Sequence, residues 1–313
     1  MKGKIYHLCY TSHGEVLCRK YLDYCMLFNC IAQATIGTDA QLLAYAIMST
    51  HVHLIVITEH PAAYIQRIRS SYTQMFNRRY RRKGTLGEPS FYSVELIGRR
   101  HVTAAISYVL RNPVHHELTS NPYDYEFSSI GLYFRKETRR PEDTRPKKAA
   151  RPFAAIIRRD NRQRLPEGLV FDDETGQIEP SQLVNSAVVE GFFGSYAAFD
   201  YGLQRRDYQV WETEQLQDRD GQSAITVGII EPYLSGKDLE RILTQSKQWA
   251  KEKPILDMDV CALVDEKYVP GYGKKSYAQL TDSEKVAIAD SIRRQYGVGK
   301  AVLSRCLGIV LCK

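Results

Sequence analysis

The chain has 313 residues, of which 43% are hydrophobic, and a formal net charge of +7. These values indicate a globular protein with two domains or three small ones. No apolar run approaches the 18 or so residues that are needed to cross a bilayer, and no charged start followed by an apolar core marks a signal peptide. The seven cysteines include no C-x-x-C pair, which argues against a disulfide framework and a zinc site. We therefore expect a cytoplasmic protein with no membrane partner.

The first 112 residues alternate between strand and helix patterns. In chain order, the periodicity predicts a strand from Lys4 to Thr11, a helix from Lys20 to Ala34, strands from Gln41 to Ser49 and from His51 to Thr58, a helix from Pro61 to about Arg82, a strand from Phe91 to Ile97, and a helix from Arg99 to Asn112 that is ended by Pro113. This order predicts an α+β fold, in which an antiparallel sheet carries helices mostly on one face.

The strand "HVHLIVIT" carries the first candidate site. Residues i and i+2 of a strand project to the same face, so His51 and His53 point the same way while Val52 points to the other side. Two imidazoles at this spacing can hold one divalent ion. The motif is weak by itself, because two histidines that bond to backbone or solvent at a strand end would give the same pattern.

The next helix carries a basic surface. The stretch "QRIRSSYTQMFNRRYRRKG", residues 66–84, contains seven arginines or lysines and no acid. Six of them are predicted to contact DNA phosphates, and such contacts steepen the salt dependence of binding: Arg67, Arg78, Arg79, Arg81, Arg82 and Lys83. Tyr72, Phe76 and Tyr80 recur every four residues, which favours a core stripe over a base-stacking platform.

The second candidate site lies in "AAISYVLRNPVHHEL". Tyr108 and Asn112 are spaced i, i+4, so a helix places both on one face. Asn112 precedes Pro113, which disfavours further helix and predicts that the amide lies at the helix end. An ordinary core-facing helix that happens to contain a tyrosine is the alternative.

Taken together, the two sites fit phosphoryl-transfer chemistry. An ion held by two imidazoles and an amide oxygen leaves positions open for a phosphate, makes its phosphorus more electrophilic and stabilises the developing charge. A nearby tyrosine can then attack the phosphorus and form a covalent phosphotyrosine. A phenol has an unperturbed pKa of about 10, so its deprotonation needs help, and the cation can supply it.

The composition changes after residue 134. The sequence predicts a basic linker over residues 135–150, rich in arginine and proline, and a mixed middle region over 151–234 whose role it does not indicate. Residues 235–313 look helical, with two helices joined at Gly297 and an incomplete helix-turn-helix that has Gly308 in the turn. Fewer residues follow Ile309 than the roughly ten that a recognition helix needs, and a small helical packing module is the alternative.

In residues 1 to about 134 the chain resembles the single-tyrosine HUH transposases, specifically the REP-associated tyrosine transposases. The resemblance is carried by "THVHLIV", by "YVLRNPVHHEL", and by the opening "KIYHLCYTSHGEVLCRKYLDY". It implies the RRM-like HUH nuclease fold and an enzyme that nicks single-stranded DNA near a hairpin, forming a 5′-phosphotyrosine and a free 3′-hydroxyl. It also implies the roles: Tyr108 as nucleophile, and His51, His53 and Asn112 as ligands of Mg²⁺ or Mn²⁺.

Two other functions remain open. The protein could be a DNA-binding regulator whose nuclease centre is unused, or an RNA-binding RRM-like module, although such a module would carry stacking aromatics where this chain has His51 and His53. The sequence also leaves open whether the protein is a monomer or a homodimer, and whether Tyr108 serves the metal site of its own chain or of a partner.

Overall fold

The computed structural model describes residues 3–12, 14–138, 167–204, 226–231 and 255–311. The first 115 residues form β1 (Lys4–Thr11), α1 (Tyr21–Ile36), β2 (Gln41–Ile47), β3 (His51–Thr58), α2 (Pro61–Tyr80), β4 (Tyr92–Glu95) and α3 (Gly98–His115). The later helices, apart from very short turns, are Arg135–Thr138, Ser186–Phe193, Tyr196–Gln204, Val227–Ile230, Asp257–Leu263, Val264–Tyr268, Asp282–Tyr296 and Lys300–Leu307. β1 and β3 have the bounds that the sequence predicts.

The four strands form one antiparallel sheet in the order β2-β3-β1-β4. β3 lies inside the sheet and all of its residues are buried, which accounts for its almost continuous apolar sequence. It pairs with β1 along its whole length, so that His51 lies opposite Thr11 and His53 opposite Cys9. The predicted α+β class with an antiparallel sheet is confirmed.

Helices cover both faces of this sheet, so the prediction that they lie mostly on one face is wrong. On one face, the Arg69 guanidinium of α2 lies 5.1 Å from the centre of the Tyr10 ring, and Phe28 of α1 lies 4.9 Å from Tyr45, centre to centre. Side chains alternate along a strand, so His51 and His53 project to the opposite face, where α3 packs. The aromatic residues that recur every four positions in α2 are buried, which confirms the predicted core stripe: Tyr72, Phe76 and Tyr80.

The prediction that Pro113 ends the helix after Asn112 is wrong. α3 continues through Pro113 to His115. Proline lacks an N–H and usually breaks a helix interior, but here it lies in the last turn. The Asn112 carbonyl accepts the N–H of His116, and the Pro113 carbonyl accepts that of Leu118. Asn112 is therefore inside the helix, one turn before its end.

Several other ends differ from the prediction. α2 stops at Tyr80 because Arg81 adopts a left-handed conformation with φ of 52°, a common way to end a helix. β4 covers Tyr92–Glu95 rather than residues 91–97, and β2 ends at Ile47 rather than at Ser49.

Described residues that follow position 134 pack against the sheet and α3. Val184 forms a parallel bridge with Leu42 of β2, and Arg99 of α3 donates to the carbonyl of Phe192. The described part of the C-terminal segment, 255–311, is helical as predicted, and its two last helices meet at Gly297. Residues 139–150 of the predicted linker and 151–166, 205–225 and 232–234 of the predicted middle region lie outside the described residues.

A buried ion pair ties the C-terminal segment to the N-terminal one. The Arg19 side chain is fully buried, lies 2.7 Å from Oδ1 of Asp265 and stacks 3.6 Å from the centre of the Tyr277 ring. Among the described residues, six cysteines are buried outside any disulfide, and no helix is both long and apolar enough to cross a membrane.

Candidate functional site

The two histidines of β3 present one ring nitrogen each towards α3. His53 is fully buried, and its Nδ1 lies 2.9 Å from Nε2 of His7 on β1. His51 is also buried, and its Nδ1 lies 3.1 Å from Oγ1 of Thr50. Because both Nδ1 atoms take part in hydrogen bonds, the two Nε2 atoms are the ones that face α3 and a bound ligand. The ring centres are 5.0 Å apart, on the shared face that the i, i+2 spacing predicts.

α3 brings Tyr108 and Asn112 to the histidines. Both side chains are fully buried and lie on one helix face, as their i, i+4 spacing predicts. Nε2 of His51 lies 2.8 Å from Oδ1 of Asn112. The strand and helix motifs of the sequence therefore meet in space within one chain.

Glu231, which the sequence did not single out, lies at the centre of the site. Its Oε1 accepts the Tyr108 hydroxyl at 2.8 Å and also the Asn112 amide, and lies 3.5 Å from Nε2 of His53. The carboxylate is fully buried. It follows directly after the short helix Val227–Ile230, whose first and last side chains, Val227 and Ile230, are buried and anchor the segment.

Two further histidines adjoin the site from the end of α3. Nε2 of His116 lies 3.5 Å from Oε2 of Glu231, and its ring centre lies 4.8 Å from that of His51. The His115 ring centre lies 4.5 Å from that of Tyr108. His116 lies four residues after Asn112, so the helical spacing contained this signal. A helix that ends at Pro113, as the sequence predicts, does not reach His116.

The electrostatics of the site suit cation binding. Burial holds the pKa of His7, His51 and His115 well below the usual range of an imidazole, so all three are neutral at pH 7. Burial alone would raise the pKa of Glu231, but the adjacent imidazoles of His116 and His53 outweigh it and hold that pKa well below its usual range. The site thus contains neutral imidazoles, which have lone pairs to share, beside an ionised carboxylate.

The spacing of these atoms fits a metal ion. One ligand atom from each of His51, His116 and Glu231 lies within 4.8 Å of the others, and these three residues could hold a metal ion. Two ligands about 2.1 Å from an octahedral ion lie about 3.0 Å apart at right angles and about 4.2 Å apart when opposite. The 2.8 Å between His51 and Asn112 and the 3.5 Å between His53 and Glu231 fall at or near this range.

The site is closed to large ligands. The side chains of Tyr108, Asn112, His53 and Glu231 each have 0% exposure. A DNA phosphate cannot reach the Tyr108 oxygen while these neighbours stay in place. The residues that cover the site must therefore move before any polymer can bind there.

The basic residues of α2 lie on the face of the sheet opposite the candidate site. The predicted basic surface also includes Arg81, Arg82 and Lys83, which follow the end of α2. Arg82 pairs with Glu15, and the exposed Arg79 lies 3.5 Å from Oδ1 of Asp23. The half-buried Arg67 donates to the Gly37 carbonyl at 3.3 Å. The exposed members of the predicted set also include Arg78, Arg81 and Lys83.

The C-terminal end of α2 is nevertheless close to the end of the sheet that carries the site. Glu15, the partner of Arg82, follows β1 by four residues, and the last residue of β1, Thr11, lies opposite His51. Arg81, Arg82 and Lys83 therefore lie at the same end of the sheet as the first histidine.

Comparison with known proteins gives little independent guidance. No family model and no curated protein matches the chain. A similar solved structure is described as the REP-associated tyrosine transposase bound to a REP hairpin; the alignment covers 45% of this chain and 82% of that chain, with 17% identity and a TM-score of 0.37. A likeness this weak leaves the function to be inferred from the side-chain geometry.

Proposed function

We propose that this protein is a metal-dependent enzyme that nicks single-stranded DNA beside a hairpin and transfers the strand through a phosphotyrosine on Tyr108. One observation carries the proposal: a buried phenol, two imidazoles and an amide of a single chain are linked through direct contacts with one another and with Glu231. His51 and Asn112 are joined at 2.8 Å, while Tyr108 and His53 both adjoin Oε1 of Glu231. A site that only stabilised the fold would not need this concentration of buried polar groups, since each is costly to bury.

His51, His53 and Asn112 are the proposed ligands of Mg²⁺ or Mn²⁺. Coordination through Nε2 of His53 requires the proton to be on Nδ1, from which it is donated to His7. The ion, when bound, makes the phosphorus more electrophilic and stabilises negative charge on the phosphate. His7 and Thr50 fix the orientation of the two imidazole rings.

Tyr108 is the proposed nucleophile. Its oxygen forms a bond to phosphorus as the bond from phosphorus to the 3′ oxygen breaks. The phenol loses its proton, and the leaving 3′ oxygen gains one and becomes a free hydroxyl. The 5′ end of the cut strand is then held on the enzyme, and attack by another 3′ hydroxyl reverses the chemistry and releases Tyr108.

The C-terminal end of α2 is the proposed grip on DNA phosphates. Arg81 and Lys83 are exposed at the end of the sheet where His51 lies, and Arg78 and Arg79 are exposed one turn earlier on α2. A backbone that follows these charges can place a neighbouring phosphate at the site once the site opens. Arg67 and Arg82 complete the proposed basic surface.

One observation favours the second candidate, a DNA-binding regulator that does not cut. Tyr108 is fully buried and its hydroxyl is bonded to Glu231. In a regulator this closed state would be permanent, whereas in an enzyme it must open.

Denaturing gel electrophoresis separates the two functions. Wild-type protein is incubated with Mn²⁺ and a panel of labelled single-stranded hairpins, next to the Tyr108→Phe and His51→Ala variants. An enzyme gives a covalent protein-DNA band that both substitutions abolish, while the Tyr108→Phe variant still binds DNA. Hairpin binding by the wild type without any covalent band would favour the regulator.

A further inference from the structure

The proposed ligands lack the group that hard cations prefer. His51, His53 and Asn112 offer two imidazoles and an amide, all uncharged, whereas Mg²⁺ and Mn²⁺ favour carboxylate oxygens. Building on the proposed function, we propose that Glu231 is a ligand of this ion in the substrate-free protein, and that it holds the position that the scissile phosphate takes during the reaction. The segment 226–231 thus supplies a residue to a site formed by the first 115 residues.

The first argument is the charge of Glu231. Its carboxylate is fully buried, and among the described residues the only basic nitrogens within ion-pair distance are those of the imidazoles of His53 and His116, each at 3.5 Å. A buried anion is unfavourable unless a cation or several hydrogen bonds compensate it. No lysine or arginine in the described part of the chain pairs with it. A divalent cation between the carboxylate and the imidazoles would provide the missing charge.

The second argument is the hydrogen bonding of the two carboxylate oxygens. Oε1 accepts from Tyr108 and Asn112, whereas Oε2 accepts no hydrogen bond within the described residues. Oε2 faces Nε2 of His116, which also lacks a hydrogen bond there. Two buried atoms with lone pairs at 3.5 Å are separated as two ligands of one ion would be.

The third argument is the resemblance between this carboxylate and a phosphate in the site. Tyr108 must place its oxygen about 3 Å from the phosphate that it attacks, and it now lies 2.8 Å from Oε1 of Glu231. Both groups are anions that offer oxygen atoms to a cation. Because the site is fully buried, DNA cannot enter while Glu231 stays, so the phosphate has to replace it.

The test is Mn²⁺ binding by the full-length chain without DNA, measured by isothermal titration calorimetry. Glu231→Gln keeps the size of the side chain and removes its charge, and we expect it to weaken Mn²⁺ binding by about tenfold or more. Glu174→Gln is the matched control, because Glu174 is an exposed acid of the same region, and it should bind as the wild type does. Circular dichroism in EDTA verifies that both variants fold. Equal affinities for the wild type and Glu231→Gln would overturn the proposal.

A second measurement tests whether the DNA phosphate replaces the Glu231 carboxylate at the ion. In a Tyr108→Phe background, which cannot cut, Glu231→Gln should bind hairpin DNA more tightly at saturating Mn²⁺, because no anion has to be displaced. Unchanged or weaker DNA binding would contradict the exchange.

The two proposals can fail separately. A wild-type protein that forms the covalent adduct while Glu231→Gln binds Mn²⁺ normally would refute the role of Glu231 alone. A wild-type protein that binds no Mn²⁺ and forms no adduct would refute both.

Discussion

The Tyr108 hydroxyl donates a hydrogen bond to Oε1 of Glu231 at 2.8 Å, although 123 positions separate the two residues in the chain. The residues after the sheet and its helices thus take part in the site directly. Because the Tyr108 side chain is fully buried, this hydrogen bond must break before the proposed nucleophile can reach a phosphate.

His7→Ala is expected to lower the affinity for Mn²⁺ by about tenfold. His7 bonds to Nδ1 of His53 at 2.9 Å and so fixes the ring that presents Nε2 to the ion; loss of such a partner typically costs a factor of 10 to about 100. Calorimetric titration with Mn²⁺ measures the effect. His60→Ala is the control, because His60 is exposed at the start of α2. Normal Mn²⁺ binding by His7→Ala would show that His53 is oriented without it.

Acid is expected to destabilise the metal-free protein. Burial lowers the pKa of His7, His51 and His115 in the folded state, so the unfolded chain takes up protons first as the pH falls. Their contribution to stability is complete above about pH 6.5, the ordinary imidazole value, and decreases below it. Each histidine then removes about 1.4 kcal/mol per pH unit until its folded pKa is reached.

Urea unfolding in EDTA at several pH values tests this. We expect a level free energy of unfolding above about pH 7 and a steep decrease from about pH 6.5 to 5.5. A level free energy across that whole range would show that the buried imidazoles do not control acid stability.

Asp265→Asn is expected to destabilise the fold by about 3 kcal/mol, because it leaves the fully buried charge of Arg19 without its partner. Glu266→Gln is the matched control. Glu266 is mostly exposed in its pair with Lys20, and its loss should cost under about 1 kcal/mol. Denaturant unfolding measures both. Equal effects of the two substitutions would mean that the C-terminal segment is not held through Arg19.

Mixing two inactive variants is expected to restore no adduct formation. Tyr108 and His53 of the same chain adjoin one carboxylate oxygen, so we expect each chain to use its own tyrosine. A His51→Ala chain and a Tyr108→Phe chain, combined in equal amounts with hairpin DNA and Mn²⁺, should form no covalent adduct. An adduct in the mixture would show that tyrosine helices serve a partner's site.

The sequence predicted the elements around the site because each rests on a local pattern. The spacing of His51 and His53 on a strand and of Tyr108 and Asn112 on a helix dictates which face they share, whatever surrounds them. The bounds of β1 and β3 follow from their mostly apolar runs. The ends of helices were less predictable, because Pro113 lacks only its own N–H and α3 continues past it to His115.

The sequence could not reveal the site residues that lie far along the chain from the two motifs. His116 could have been found by continuing the spacing of Tyr108 and Asn112 by one more turn. Glu231 could not, because a single acid in "GIIEPY" carries no periodic signal and its place depends on how residues 226–231 pack. His7 is one histidine in an ordinary strand, and only the register between β1 and β3 shows that it adjoins His53.

The most direct test of the central claim is mass spectrometry of the protein after reaction with hairpin DNA and Mn²⁺. Nuclease treatment trims the bound DNA, and proteolysis then releases the peptide that carries the remaining nucleotide. We predict a nucleotide joined through its 5′ phosphate to Tyr108. A nucleotide on another residue, or unmodified Tyr108 under conditions in which the DNA is cut, would contradict the proposed chemistry.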